Sequence, residues 1–318
     1  LNKDAARTLT RQHFGRTIGL YTPLYISNYC DNHCVYCGFH SQREIKRKKL
    51  SSAEIEKECQ ILHASGIQNI LILTGESRLH SPVSYIKEAV EIAKKYFPNI
   101  ALEVYPLETE EYHELFLAGV DGITLYQETY DQAIYQKLHL AGEKKNFTFR
   151  YEAPFRMAQA GIRHITLGIL LGLADWEKDI QALFVHLKKL WKTYPGVEYA
   201  LSFPRLQKIE PDHSSSFPVS DADLLNIIVT ARSLFPRVGI NLSTRESAAL
   251  RDSLFEFGVT RMSAGSSTVV GGYAGPEEAE GQFPVCDRRS LKEIKEMLRQ
   301  KGYDPVITDW RRITNESI

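Results

Sequence analysis

Between residues 18 and 263 the chain repeats one pattern, a short run rich in β-branched and other apolar side chains followed by a longer segment of helical periodicity. The short runs fall at 18–26, 68–73, 100–104, 122–125, 164–167, 198–202, 239–242 and 260–263. The helical segments lie at 51–65, 84–96, 109–118, 149–160, 176–194, 221–235 and 247–257. Continuous apolar strands alternating with helices describe a parallel sheet covered on its outer face. Eight such strands with helices between them predict an α/β fold, a (β/α)8 barrel of the TIM type. The punctuation agrees: Ser51 and Glu54 have capping-box spacing, and Gly66, Gly119, Gly161 and Gly258 stand where helices should stop. No Pro-, Gly- or Ser-rich linker divides the chain, so one domain is expected. It would comprise a helical extension over 1–17, the barrel over 18–270 and a C-terminal extension over 271–318.

The loop after the first strand carries Cys30, Cys34 and Cys37, three of the five cysteines, at the spacing C-x3-C-x2-C. Three thiolates do not complete a four-coordinate structural zinc site, but they suit a 4Fe–4S cluster with one iron left open for a substrate. The alternatives are a zinc knuckle completed by His33 or His40, or buried free thiols, and no second C-x-x-C supports the former. Cys59, inside a helix, and Cys286, in a late loop, read as inert thiols. An odd cysteine count with metal-ligand spacing is not a disulfide framework, so the cytoplasm is the expected compartment. No signal peptide precedes the motif, although the chain opens on a leucine. No apolar run approaches the ~20 residues needed to span a bilayer, and no membrane partner is expected. With 39 basic and 39 acidic residues the balance is neutral, which argues against nucleic acid; the basic run 43–49 reads as a solvated face.

In such a barrel the chemistry sits where the strands end at their C-terminal side. Those positions are polar here: Thr74, Gly75 and Glu76 after the second strand, Glu103 and Tyr105 after the third, and Tyr126, Gln127, Glu128 and Thr129 after the fourth. Arg205 follows the sixth, Arg245 and Glu246 the seventh, and Ser263 ends the eighth.

The cysteine loop, with Tyr36 just before its third cysteine, resembles the radical S-adenosylmethionine (SAM) superfamily. That resemblance implies SAM bound to the open iron and cleaved to a 5′-deoxyadenosyl radical. Five separated stretches, 23–39, 126–130, 202–206, 242–246 and 271–273, are similar to the aromatic amino acid lyase branch. They resemble most the tyrosine lyases of anaerobic thiamine thiazole formation, the 2-iminoacetate synthases. The implied reaction cleaves the Cα–Cβ bond of L-tyrosine to p-cresol and 2-iminoacetate (dehydroglycine).

The roles that follow from the resemblance are these. Cys30, Cys34 and Cys37 ligate the cluster. Tyr36 belongs to the SAM site, and Thr74, Gly75 and Glu76 receive the methionine ammonium of SAM, Thr74 standing where the family has a glycine. Arg150 meets the SAM carboxylate; Gln127, Glu128 and Thr129 meet its ribose or amino group. Arg245 with Ser263 clamps the tyrosine carboxylate, with Arg205 as rival, and Glu103 and Tyr105 line the pocket. The implied partners are a reduced flavodoxin or ferredoxin as electron donor and a thiazole synthase that consumes the imine. The tyrosine lyase of iron-only hydrogenase maturation shares most of these motifs, but it has a second cysteine cluster near its C-terminus, and residues 302–310 contain no cysteine. A tryptophan lyase and, from a different class, an inactive metal-stabilised interaction protein are the other readings.

Overall fold

Eight parallel strands close into a barrel in the computed structural model, which describes residues 2–207, 217–275 and 280–308. They are β1 (Thr17–Ser27), β2 (Asn69–Thr74), β3 (Asn99–Glu103), β4 (Gly122–Glu128), β5 (His164–Ile169), β6 (Glu198–Ser202), β7 (Gly239–Leu242) and β8 (Arg261–Ser263). Each pairs with the next in chain order. Closure is made by β8 against β1, with Gly19, Leu20 and Tyr21 opposite Arg261, Met262 and Ser263. The core between barrel and outer helices is aliphatic: Ile72, Ile86, Leu102, Leu115, Ile165 and Leu201 are all fully buried.

The expected helices are present, within a few residues of their predicted ends. Ser51 and Glu54 form the full capping box that starts Ser52–Ala64. The four glycines expected to end helices all have positive φ. The segment expected as one helix over 247–257 is instead Ala248–Leu254 followed by a 3-10 turn, Phe255–Phe257. Five further elements were not foreseen. A helix Gln132–Leu138 follows β4, a two-residue strand His33–Cys34 pairs antiparallel with His139–Ala141, and an amphipathic helix Leu291–Gln300 leads into Asp304–Val306, which lies parallel to the start of β1. Of the C-terminal extension, residues 276–279 and 309–318 lie outside the described residues. No described helix is long and apolar enough to cross a membrane.

The cysteine loop is pinned from several sides. Asn28 donates to the Lys46 carbonyl and accepts from the Lys48 amide. Asn32 is almost fully buried; it donates to Glu76 Oε2 at 2.9 Å and accepts from the Lys144 amide at 3.0 Å. Gly75 is required by proximity, because a Cβ there would stand 2.2 Å from the Tyr29 carbonyl oxygen. The basic run is not simply a solvated face. Arg47 turns inward and its guanidinium donates to the carbonyls of Asn28, Phe39, His40 and Arg43, bracketing both ends of the loop. Charge-assisted bonds of this kind stabilise by about 1.5–3 kcal/mol each when isolated, less when shared by one side chain. Arg47→Leu should therefore destabilise the fold by roughly 2–3 kcal/mol and lower the iron bound per chain after reconstitution. Chemical denaturation and iron analysis would show it, and unchanged iron loading would count against the bracket.

Candidate active site

The barrel encloses a cavity of about 350 Å³ whose upper wall includes Tyr25, Tyr36, Cys37, Glu103, Tyr126, Glu128, Lys144, Arg245 and Ser263. Beside the cysteine loop lies a smaller chamber of about 70 Å³, lined by Cys30, Cys34, Cys37, Thr74, Gly75, Glu76, Glu128, Lys144 and Arg150. Cys37, Glu103, Glu128, Lys144 and Gln282 border both spaces. The larger is of a size that takes a small metabolite.

The chamber holds a charge-balanced network. Glu76 pairs with Arg150 at 3.0 Å and Lys144 at 3.4 Å, and Lys144 pairs with Glu128 at 2.8 Å. Arg150 also donates to the Tyr126 carbonyl at 2.7 Å. Burial alone would raise the Glu76 pKa; Arg150 and Lys144 reverse this and hold it at about 2. The same cations keep Glu128 below the usual carboxylate range against its burial. Lys144, pushed down by burial and by Arg150, is nonetheless held above the ordinary lysine value by Glu128 and Glu76. Glu128 is the one non-glycine residue with positive φ among the described residues, 71°, at a register shift that ends β4. Such backbone costs of order 1–3 kcal/mol and persists where surrounding contacts over-determine it, here the ion pair with Lys144.

These groups suit a three-cysteine cluster with a bound amino acid moiety. Burial pushes the thiols of Cys30, Cys34 and Cys37 upward, Cys30 to about 12, and the Lys144 charge opposes this at Cys34 and Cys37. Thiolate ligands here thus depend on metal binding to displace their protons. Thr74 Oγ1 is buried on the chamber wall without a hydrogen-bond partner, a polar atom that fits a ligand group. Among the described residues no three His, Cys, Asp or Glu side chains are grouped to hold a single metal ion. His33 and His40, considered as zinc ligands, stack on each other at 5.2 Å. Cys59 and Cys286 border neither space.

In the wall of the larger cavity Arg245 lays its guanidinium over the Phe283 ring at 3.5 Å, and no described carboxylate pairs with it. Ser263 lines the same cavity, close to the Tyr21 hydroxyl. Glu103 borders both the cavity and the chamber, with no hydrogen bond to a described residue. Burial raises its pKa to about 7, with Arg245 opposing and Glu128 reinforcing.

Four expected residues stand elsewhere. Tyr105 is buried outside both spaces and donates to the Ser81 carbonyl at 2.7 Å. Arg205 is held by Glu246 and Asp221, so it is no rival to Arg245. Thr129 donates to Asp179 at 3.0 Å, and Gln127 is buried away from the lining. The strand's two-residue alternation explains the last case: Tyr126 and Glu128 face inward, which turns Gln127 out. Tyr36 borders the cavity, its hydroxyl bonded to His139 Nε2 at 2.8 Å. Lys144 and Gln282 were missed. Lys144 sits two residues past Gly142, which packs so tightly on Asn32 that a Cβ would clash at 2.1 Å, and that loop packing has no periodic signature.

Two family models match the chain: the Radical SAM superfamily over residues 24–185, and the Biotin and Thiamin Synthesis associated domain over 202–304. The 2-iminoacetate synthases of Salmonella typhimurium and Escherichia coli are each 38 % identical over 306 residues, spanning 96 % of this chain and 81 % of theirs. A 3-methylornithine synthase of Methanosarcina acetivorans is 26 % identical over 94 % of the chain. Among solved structures, HydG, a maturase of the FeFe-hydrogenase, superposes with a TM-score of 0.92 at 32 % identity, over 96 % of this chain and 69 % of that one. HydG of Carboxydothermus hydrogenoformans gives 0.90 at 34 %, over 96 % and 71 %.

The site makes two predictions. Removing one cation from the network leaves two buried carboxylates facing a single arginine. Lys144→Met should thus destabilise by roughly 3–5 kcal/mol and raise the Kd for SAM, read by denaturation and calorimetry. Glu103 binds its proton more tightly in the folded chain than in the unfolded one, so its contribution to stability falls as pH rises from about 4.5 to about 7. Glu103→Gln should flatten the melting temperature across that window; an unchanged slope would mean Glu103 is not the group responsible.

Proposed function

Because the chain belongs to the radical SAM superfamily and, within it, to the family of the 2-iminoacetate synthases, we propose that it cleaves the Cα–Cβ bond of L-tyrosine to p-cresol and 2-iminoacetate, the imine used for the thiamine thiazole. The observation that carries the reading is one cavity lined both by Cys37 and by a guanidinium without a carboxylate partner among the described residues.

A 4Fe–4S cluster and SAM, when bound, supply a 5′-deoxyadenosyl radical. Cys30, Cys34 and Cys37 would hold the cluster. Glu76 and Glu128 offer carboxylates to the SAM ammonium, and Arg150 offers a guanidinium to its carboxylate. Arg245 receives the tyrosine carboxylate, with Ser263 beside it. Glu103, at about 7, is poised to take a proton from the substrate at neutral pH. The buried phenols of Tyr25 and Tyr126 stay protonated, pushed up by burial, and serve as hydrogen-bond donors. Enclosure within the barrel orients the substrate and keeps water from a reactive intermediate. The reading also includes a reduced flavodoxin or ferredoxin as electron donor, a thiazole synthase as the consumer of the imine and the cytoplasm as compartment, all on family grounds.

The likeness to the two HydG structures supports a second reading, in which tyrosine cleavage leads on to cyanide. The higher identity and coverage of the 2-iminoacetate synthases favour the first. An anaerobic assay with SAM, dithionite and tyrosine separates them. The expected products are p-cresol with 2-iminoacetate or its hydrolysis product glyoxylate, whereas cyanide would support the second reading and a colourless, inactive zinc protein would overturn both. In the same assay Arg245→Ala should raise the tyrosine KM by about 100-fold, as for loss of a charged hydrogen-bonded contact.

A further inference from the structure

The segment that returns over the barrel mouth after β8 brings two neighbouring side chains to two different groups of the site. Gln282 accepts from the Tyr25 hydroxyl through Oε1 at 2.7 Å, which turns its amide nitrogen toward Cys37, with Nε2 3.9 Å from Sγ. Phe283, the next residue, carries the Arg245 guanidinium on its ring. The two are fixed to one support: the Gln282 amide donates to the Thr268 carbonyl at 3.3 Å, and Thr268 Oγ1 donates to the Phe283 carbonyl at 2.8 Å. Little slack exists beneath, since a Cβ on Gly38, beside Cys37, would stand 2.4 Å from the Gln282 carbonyl oxygen.

We propose that Gln282 is a positioning residue that couples the tyrosine site to the cysteine loop, its amide held against the Cys37 sulfur while Phe283 bears the guanidinium that grips the substrate. The inference rests on the function proposed above. A hydrogen bond to a ligating sulfur withdraws electron density and raises the potential of a cluster. Pairing of a carboxylate with Arg245 draws the guanidinium on the Phe283 face, and the packed support transmits that displacement to Gln282. Coupling of this kind is reciprocal: tyrosine shifts the cluster potential, and the cluster's redox state shifts tyrosine affinity by the corresponding factor.

The test is an EPR-monitored redox titration of the full, reconstituted chain with SAM, with and without tyrosine. In the unaltered protein, tyrosine should shift the midpoint. Gln282→Leu should move the resting midpoint to a more negative value and abolish the shift. Phe283→Leu should keep the resting midpoint and lose the shift, and Gln282→His, which retains an N–H donor, should recover part of what Gln282→Leu loses. Iron content and melting temperature identify a variant that fails to fold, in which case the remaining two decide. An unaltered midpoint and shift in Gln282→Leu, or no shift in the unaltered protein at saturating tyrosine, overturns the proposal. Failure of the unaltered protein to bind a cluster or cleave tyrosine would instead overturn the function on which it rests.

Discussion

Two carboxylates, an ammonium and a guanidinium lie buried together at the mouth of the barrel, and the rest of the site is arranged by their need to satisfy one another. Charges out of water are tolerated only when paired and hydrogen-bonded. Here Glu76 comes from the end of β2, Glu128 from the end of β4, Lys144 from the turn after the short strand His139–Ala141, and Arg150 from the helix Phe147–Gln159. Asn32 adds the cysteine loop by bonding to both Glu76 and the Lys144 backbone. One neutral network thus ties together the cysteine loop, the strand ends that carry Glu76 and Glu128, and the turn that carries Lys144.

The same electrostatics divide the interior into two environments. In the chamber, cations outweigh the penalty of burial, and Glu76 and Glu128 remain ionised. Beside it Glu103 makes no ion pair; Arg245 and, more weakly, Lys144 and Arg150 oppose its burial while Glu128 adds a like charge, and burial prevails, so its proton is shared near neutrality. Three carboxylates of the same type thus differ in protonation, Glu76 and Glu128 ionised and Glu103 half-protonated near neutrality, according to the charges around each.

Much of this was legible in the residues. The strand-and-helix alternation specified the barrel, because burial on both faces leaves a continuous apolar run that few other architectures accept. The cysteine spacing, Glu76, Glu128, Arg150, Arg245 and Ser263 all reach the interior as expected. Tyr105, Gln127, Thr129 and Arg205 do not, though each lies at a strand end, because position along a chain near a turn does not say which way a side chain points. Arg47 was read as solvated from its charged neighbours, and only the path of the loop shows four carbonyls converging on it.

The sequence by itself determined the class of fold, the place of the cysteine loop at the end of the first strand, and the family, since each depends on periodicity or on residues close together in the chain. Tertiary structure alone decided which polar groups meet. Lys144 is 68 to 16 residues from its two carboxylates, and Gln282 is 245 residues from Cys37. Contacts across such separations follow from barrel closure and loop packing, and neither leaves a local pattern to read.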